Sequence, residues 1–136
     1  MVELSDASRV TAGVLLLTMV GIEFGGTFML RVLRGGVPAT ELQKSFFRAG
    51  HAHAGVWVTL SLVIQVLADA ADLSGALGYA ARVGVPLGAI LLPAGFFLSV
   101  AGRGVTKPNG LFALVYAGAL SFAVGVVTLG IGLLIA

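Results

Sequence analysis

The sequence predicts an all-α integral membrane protein, a bundle of four helices. Of its 136 residues, 58% are hydrophobic and only 10% are charged, and the mean hydropathy is +1.06. A water-soluble domain cannot bury that much apolar surface. The apolar residues form four stretches, each long enough to cross a bilayer, and we place the helices at about 10–33, 41–70, 77–102 and 109–135. Little of the chain lies outside them, so residues 1–136 are expected to form a single transmembrane domain.

Turn and capping residues mark where the first helix ends and the second begins. The first helix is expected to end near Arg34, because Gly35-Gly36 followed by Pro38 is a helix stop signal. The segment Thr40-Glu41-Leu42-Gln43 matches a capping box. The second helix is therefore expected to begin in the cytosol near Glu41 and to enter the membrane afterwards.

The third and fourth helices carry proline and small residues. Pro86 and Pro93 lie inside the third helix, where each is expected to bend it and to free a carbonyl group. The fourth helix carries small residues at spacings of three, four, three and four: Gly118, Ser121, Gly125, Thr128 and Gly132. Small residues let helices approach closely in lipid, so this seam is expected to face another helix of the same chain or of a neighbouring copy.

Basic residues predict the orientation in the membrane. The segments on one side of the bilayer hold six of them: Arg31, Arg34, Lys44, Arg48, Arg103 and Lys107. The other side holds Arg9 and Arg82. Positive loops stay in the cytoplasm, so both termini of a protein in the cell (inner) membrane are expected to lie outside. The net charge of +2 thus reflects topology, and no nucleic-acid partner is expected.

Three ionisable residues lie within the apolar stretches. Glu23 lies about 12 Å inward from Arg31 along the first helix, and His53 lies roughly 7–8 Å inward from Arg48 along the second. Glu23 and His53 are therefore expected near one depth on adjacent antiparallel helices, where they could touch. His51 lies slightly closer to the cytoplasm. Such residues are expensive in hydrocarbon and are candidates for function.

The two histidines are expected to act separately. His51 and His53 are about 200° apart around a helix, so one straight helix cannot bring both to one metal ion. The chain has no cysteine, which excludes thiolate metal sites. A packing role stays open for each histidine, because its ring can donate a hydrogen bond to a carbonyl one turn away or to Glu23. Trp57 is read most simply as a packing residue that could also stack beside a porphyrin, and Gln65 as a hydrogen bond between helices.

The second stretch also carries a family resemblance. The segment from Ala12 to about Asp69 resembles the first two helices in the catalytic subunit of haem–copper oxidases and nitric oxide reductases. The opening of the second helix carries the motif, at Phe46–Trp57, which reads Phe-Phe-Arg-Ala-Gly-His-Ala-His-Ala-Gly-Val-Trp. The end of the first helix, Leu30–Arg34, is similar as well. In that family the histidine of this motif ligates the low-spin haem, and it falls on His53. The resemblance implies a cofactor bound by His53, with haem b or copper preferred to zinc. His51 is a second candidate for cofactor binding, and His53, His51 and Glu23 are the candidate metal ligands as ionisable residues within the membrane.

The family's architecture implies an assembly. Its catalytic subunit has twelve helices in three groups of four, so a homotrimer of this chain would rebuild a twelve-helix ring. The resemblance extends at most to haem or metal binding, which would allow a redox role in electron transport. It does not extend to oxygen reduction, because no tyrosine lies near a histidine and one chain does not encode a three-histidine copper site.

Three functions compete at this stage. The first is a membrane protein that binds haem or a transition metal through His53. The second is a small transporter or proton/ion pathway that uses Glu23 and the histidines. The third is a structural or accessory subunit in which these residues only specify packing.

Overall fold

A computed structural model describes residues 3–135. Its four helices are α1 (Asp6–Leu33), α2 (Glu41–Ala70), α3 (Gly75–Ser99) and α4 (Ala113–Ile135), and a single 3₁₀ turn at Gly110–Phe112 leads into α4. No strand occurs between residues 3 and 135. All four helices are long and apolar enough to span a membrane. The prediction of an all-α four-helix bundle is confirmed.

The helix bounds differ by a few residues from those predicted from the apolar stretches. Helix α1 begins at Asp6, ahead of its apolar run, because the Ser5 hydroxyl accepts a hydrogen bond from the Ser8 N–H. Helix α3 begins at Gly75 and ends at Ser99, slightly earlier at both ends than expected. Helix α4 is preceded by a 3₁₀ turn in which the Asn109 side chain accepts from the Leu111 N–H.

The predicted capping box is present and joins two loops. The Thr40 hydroxyl accepts from the Gln43 N–H at 3.2 Å, and the Gln43 side-chain oxygen accepts from the Thr40 N–H at 3.0 Å. The Gln43 amide also donates to the carbonyls of Val100 and Gly102, at 3.0 and 2.9 Å. Thr40 donates its hydroxyl proton to the Val105 carbonyl at 2.6 Å. The start of α2 is thereby fixed to the loop between α3 and α4.

The helices pack in chain order, α1 on α2, α2 on α3 and α3 on α4. The α3–α4 contact is the most extensive, and α1 leaves most of its surface exposed. The largest apolar cluster lies among α2, α3 and α4 and consists of Ile64, Ala68, Ala81, Val85 and Leu129. A smaller one, built from Leu15, Val58 and Ala89, holds α1 against α2 and α3.

The small-residue seam of α4 faces α3 of the same chain. The sequence predicted that the seam would face a helix and left open whether that helix belongs to the same chain or to a neighbouring copy. A Cβ atom placed on Gly84 would lie 2.6 Å from the Gly125 Cα, and one on Gly118 would lie 2.5 Å from the Leu92 backbone nitrogen. Neither contact leaves room for a side chain. The Ser121 hydroxyl donates to the Gly84 carbonyl at 2.8 Å. Backbone contact at glycine therefore sets the distance between α3 and α4.

Replacing Gly125 by alanine is expected to destabilise the bundle. A Cβ there would lie 2.8 Å from the Val85 nitrogen, so α3 and α4 would have to separate. We expect Gly125→Ala to lower the free energy of unfolding in mild detergent by about 1–3 kcal/mol. Gly130→Ala on the same helix is the matched control, because nothing lies within 4 Å of that position. It should be neutral or slightly stabilising, and equal losses for both variants would contradict the close contact.

A buried ion pair joins three helices at the opposite end of the bundle from the capping box. Arg82 of α3 contacts Asp69 of α2 at 2.7 Å, and their side chains are only 18% and 5% exposed. Arg82 also donates to the Leu73 carbonyl at 2.8 Å. Asp69 accepts from the N–H and the hydroxyl of Ser5, at 2.9 and 3.0 Å. The start of α1 is thus attached to the end of α2 through one carboxylate.

Removing the Asp69 carboxylate is expected to leave the Arg82 guanidinium buried without its counter-charge. Breaking such a pair from one side is strongly destabilising, so Asp69→Ala should lower the free energy of unfolding by about 3 kcal/mol. Asp6→Ala is the control, because the Asp6–Arg9 pair is exposed and should contribute less than about 1 kcal/mol. Chemical unfolding in detergent measures both. Similar small losses would show that the buried pair does not hold α1 in place.

Candidate functional site

Helix α2 presents its two histidines to different neighbours. His51 faces α1, and His53 faces α3. Both side chains are half-buried. This is the arrangement expected for residues two apart on a helix. Each histidine therefore has its own surroundings.

His51 lies against a glycine pair of α1. A Cβ placed on Gly25 would lie 3.6 Å from the His51 Nδ1, and one placed on Gly26 would lie 3.6 Å from its Nε2. The two glycines thus form a flat recess for the imidazole ring. Neither ring nitrogen has a hydrogen-bond partner within residues 3–135. His51 accordingly contributes to the α1–α2 contact by its shape.

His53 has one ring nitrogen fixed by the backbone. Its Nδ1 lies 2.7 Å from the carbonyl oxygen of Ala49, one turn earlier on α2. A carbonyl oxygen only accepts, so Nδ1 carries the proton of the neutral ring. The lone pair is then on Nε2, which has no hydrogen-bond partner in the described chain. The Phe96 ring stacks on the imidazole at 5.7 Å, and the edge of Trp57 meets it at 5.6 Å.

These rings belong to a larger aromatic cluster formed by α2, α3 and the start of α4. Its members are Phe46, His53, Trp57, Phe96, Phe112, Tyr116 and Phe122. The closest pair is Trp57 with Phe122, whose ring centroids are 4.2 Å apart. This cluster was not predicted from the sequence. The spacing of Phe46, His53 and Trp57 by seven and four residues is the pattern that could have indicated it, because it places the three rings on one face of α2.

Glu23 lies apart from both histidines. Its side chain is exposed on α1, beside Val20, Phe24 and Thr27. No hydrogen bond or ion pair joins it to another residue between 3 and 135. Residue spacing placed Glu23 at the depth of His53, but α1 turns a different face toward α2. The depth of Glu23 in the membrane follows from counting residues along α1. The direction of its side chain depends on which face of α1 packs on α2.

The three residues proposed as metal ligands are therefore not brought together within one chain. No group of three or more His, Cys, Asp or Glu side chains able to hold a metal ion occurs in the described part of the chain. A zinc ion takes three or four protein ligands, so a single His53 cannot form such a site alone. A haem supplies four nitrogens of its own and takes its axial ligand from the protein. The Nε2 lone pair of His53, which lies among aromatic rings, therefore suits an axial bond to a haem iron better than a site for a metal ion without a macrocycle.

The comparisons with known proteins add no relative. The chain matches no protein-family model, no curated protein and no solved structure. The assignment of a site therefore depends on the residues and on their geometry.

The tautomer of His53 can be measured directly by NMR spectroscopy. Because Nδ1 donates to the Ala49 carbonyl, ¹⁵N chemical shifts of histidine-labelled protein should show His53 as the Nδ1–H tautomer under mildly alkaline conditions. His51→Gln removes the other histidine and assigns the signals. An Nε2–H tautomer at His53 would mean that the backbone bond does not form and that Nε2 is not free to bind a metal.

Proposed function

We propose that this multi-pass membrane protein binds haem, with Nε2 of His53 as an axial ligand to the iron. The observation that carries the proposal is the 2.7 Å hydrogen bond between His53 Nδ1 and the Ala49 carbonyl. Metal-ligating histidines almost always donate their second ring nitrogen to a carbonyl, a carboxylate or water. That donation fixes the tautomer and raises the basicity of the ligating nitrogen. The oxidase-like segment selects the same residue.

The surroundings of His53 support a flat, apolar ligand. Phe96 and Trp57 contact the imidazole from two directions and restrict its rotation. Trp57 is itself held by the stack with Phe122 of α4. A ligand histidine needs this kind of support, because small errors in its direction weaken the bond to the metal. The aromatic rings also give the imidazole apolar surroundings, which tune the chemistry of a bound metal.

Haem b fits this chain better than copper or zinc. One histidine per site suffices for haem, whereas a copper or zinc site would need ligands from other copies. When bound, the haem would supply one-electron redox chemistry, and the function proposed for the protein is electron transfer. In this proposal the chain lies in the inner membrane with both termini outside, and His53 lies toward the cytoplasmic side. A homotrimer, by analogy with the twelve-helix oxidase subunit, would carry one His53 in each copy.

The two other functions receive less support. A proton or ion pathway through Glu23 and the histidines would need contact among them, and no hydrogen bond joins Glu23 to either histidine in the described residues. A purely structural role accounts for the packing of His51 on Gly25 and Gly26. It leaves without a role the Nε2 lone pair of His53, which, unlike the ring nitrogens of His51, is fixed in position by a backbone hydrogen bond. Ligand binding separates these possibilities.

Titration with hemin tests the proposal. The purified protein should take up haem in a fixed proportion to the chain, with a Soret band that saturates. His53→Ala should lose the band, because it removes the ligand atom. His51→Ala should keep it, because His51 lies on the other side of α2 against α1 and is expected to affect stability alone.

Two controls make the result decisive. Circular dichroism of each variant shows whether the helices remain, so that a loss of haem by a folded His53→Ala protein is attributable to the ligand. Elemental analysis shows whether copper or zinc is present instead. A wild-type protein that takes up no haem, or a His53→Ala variant that binds as well as the wild type, would refute the proposed ligand.

A further inference from the structure

The position of Glu23 in the membrane is physically unusual. It lies ten residues before the end of α1 at Leu33, about 15 Å along the helix axis. That distance places it within a hydrocarbon core about 30 Å thick. The side chain is exposed, and no group between residues 3 and 135 bonds to it. Ionisable residues at such depth almost always face a protein interior or a water-filled cavity, so a single chain leaves Glu23 without the surroundings it requires.

Glu23 is the centre of a regular stripe on α1. The stripe, here called the Glu23 stripe, consists of Leu16, Val20, Glu23, Thr27 and Leu30, spaced by four, three, four and three residues. All five residues are exposed, and Leu16, Val20 and Leu30 are 56%, 66% and 51% exposed. This spacing is that of a seam along which two helices pack. The stripe thus has the pattern of a helix–helix contact without a helix against it.

The α1–α2 contact uses a different face. Leu15 and Met29, each 7% exposed, point into the bundle together with half-buried Ile22. Glu23 follows Ile22 directly and is therefore about 100° further around the helix. The Glu23 stripe is consequently available to a partner while α1 remains packed on α2.

We propose that copies of this chain associate through the Glu23 stripe, with the carboxyl groups of Glu23 meeting at a symmetry axis normal to the membrane. Every copy inserts with the same orientation, so the Glu23 residues of all copies lie at one depth. Packed stripe to stripe, Glu23 opposes Glu23 between apolar residues on either side. A protonated carboxyl can then donate to the carboxylate of the next copy, and the pair is removed from lipid. Interhelical hydrogen bonds of this kind stabilise association in membranes.

Thr27 gives this arrangement a second acceptor. Its hydroxyl donates to the Phe24 carbonyl of the same helix at 2.6 Å. The oxygen retains a lone pair and can accept from a Glu23 carboxyl one turn away. A foreign subunit would have to offer a matching polar group at the same depth, whereas a second copy does so by symmetry. The interface does not depend on the haem proposed at His53.

Cross-linking tests the interface directly. The chain has no cysteine, so each single-cysteine variant reports one position. Leu16→Cys and Val20→Cys lie on the stripe and should form disulfide-linked dimers on oxidation in liposomes. Val14→Cys is the matched control, because Val14 is 56% exposed on the same helix but lies two residues from Leu16, about 200° around the helix axis. It should remain monomeric under the same conditions.

Substitution of Glu23 tests the polar contact. Glu23→Leu makes α1 more apolar and leaves its insertion intact, yet it should weaken self-association roughly tenfold. Glu23→Gln keeps a donor and an acceptor and should retain most of the association. Thr59→Leu, at an exposed position of α2, should change nothing. Native mass spectrometry in mild detergent or counting of photobleaching steps in liposomes measures the oligomer.

The outcomes are distinguishable. An oligomer that cross-links through Leu16→Cys and Val20→Cys and weakens in Glu23→Leu supports the interface, and its mass gives the number of copies. A monomeric wild type would overturn it and would leave a foreign subunit or a cationic ligand as the partner of Glu23. Cross-linking as strong at Val14→Cys, or unchanged association in Glu23→Leu, would overturn it as well.

Discussion

The close backbone contact between α3 and α4 is the interaction on which the rest of this structure depends. Lipid is as apolar as the side chains of the helices, so burial of apolar surface does not hold membrane helices together. Contact at Gly84 and Gly125 brings two backbones within the distance at which dispersion forces act over many atoms. Helix α2 then packs on α3, where Phe96 meets His53, and the closeness of α4 to α3 brings Phe122 onto Trp57.

Polar groups divide into two kinds in this bundle. Some groups bond to partners on other helices: Gln65 donates to the Arg82 carbonyl at 2.9 Å, the hydrogen bond between helices that the sequence predicted, and Arg82 pairs with Asp69. Other polar atoms have no partner within the described chain: the buried Oε1 of Gln65, the ring nitrogens of His51, Nε2 of His53 and the carboxyl of Glu23. Unpaired polar atoms are expensive in hydrocarbon. The first kind explains the fold, and the proposals assign a ligand to Nε2 of His53 and a second copy to Glu23.

The sequence predicted what depends on residue spacing along one helix. Four helices, the capping box of Thr40 and Gln43, and the seam of Gly118 to Gly132 all follow from patterns within a single segment. The placement of the two histidines on different faces follows for the same reason. What spacing does not determine is the rotation of one helix relative to another. Glu23 and His53 have comparable depths, yet the packing of Leu15 and Met29 turns Glu23 away from α2.

The same limit applies to the aromatic cluster and to Arg82. Phe96, Phe112 and Phe122 come from three separate segments, and their contacts with Phe46 and Trp57 of α2 depend on how α3 and α4 pack. Arg82 was read as a charge that marks orientation, but it is largely buried in an ion pair with Asp69. An isolated sequence does not distinguish a basic residue at a membrane boundary from one that joins helices, because both occur at helix ends.

The bond between His53 and a haem iron is tested most directly by resonance Raman spectroscopy of the haem-loaded, reduced protein. If Nε2 of His53 is the axial ligand, the spectrum should contain an iron–histidine stretching band that shifts when histidine is labelled with ¹⁵N. The band should persist in His51→Ala and be lost in His53→Ala. A band that does not respond to the ¹⁵N label, or a band that His53→Ala leaves unchanged, would contradict the assignment of His53.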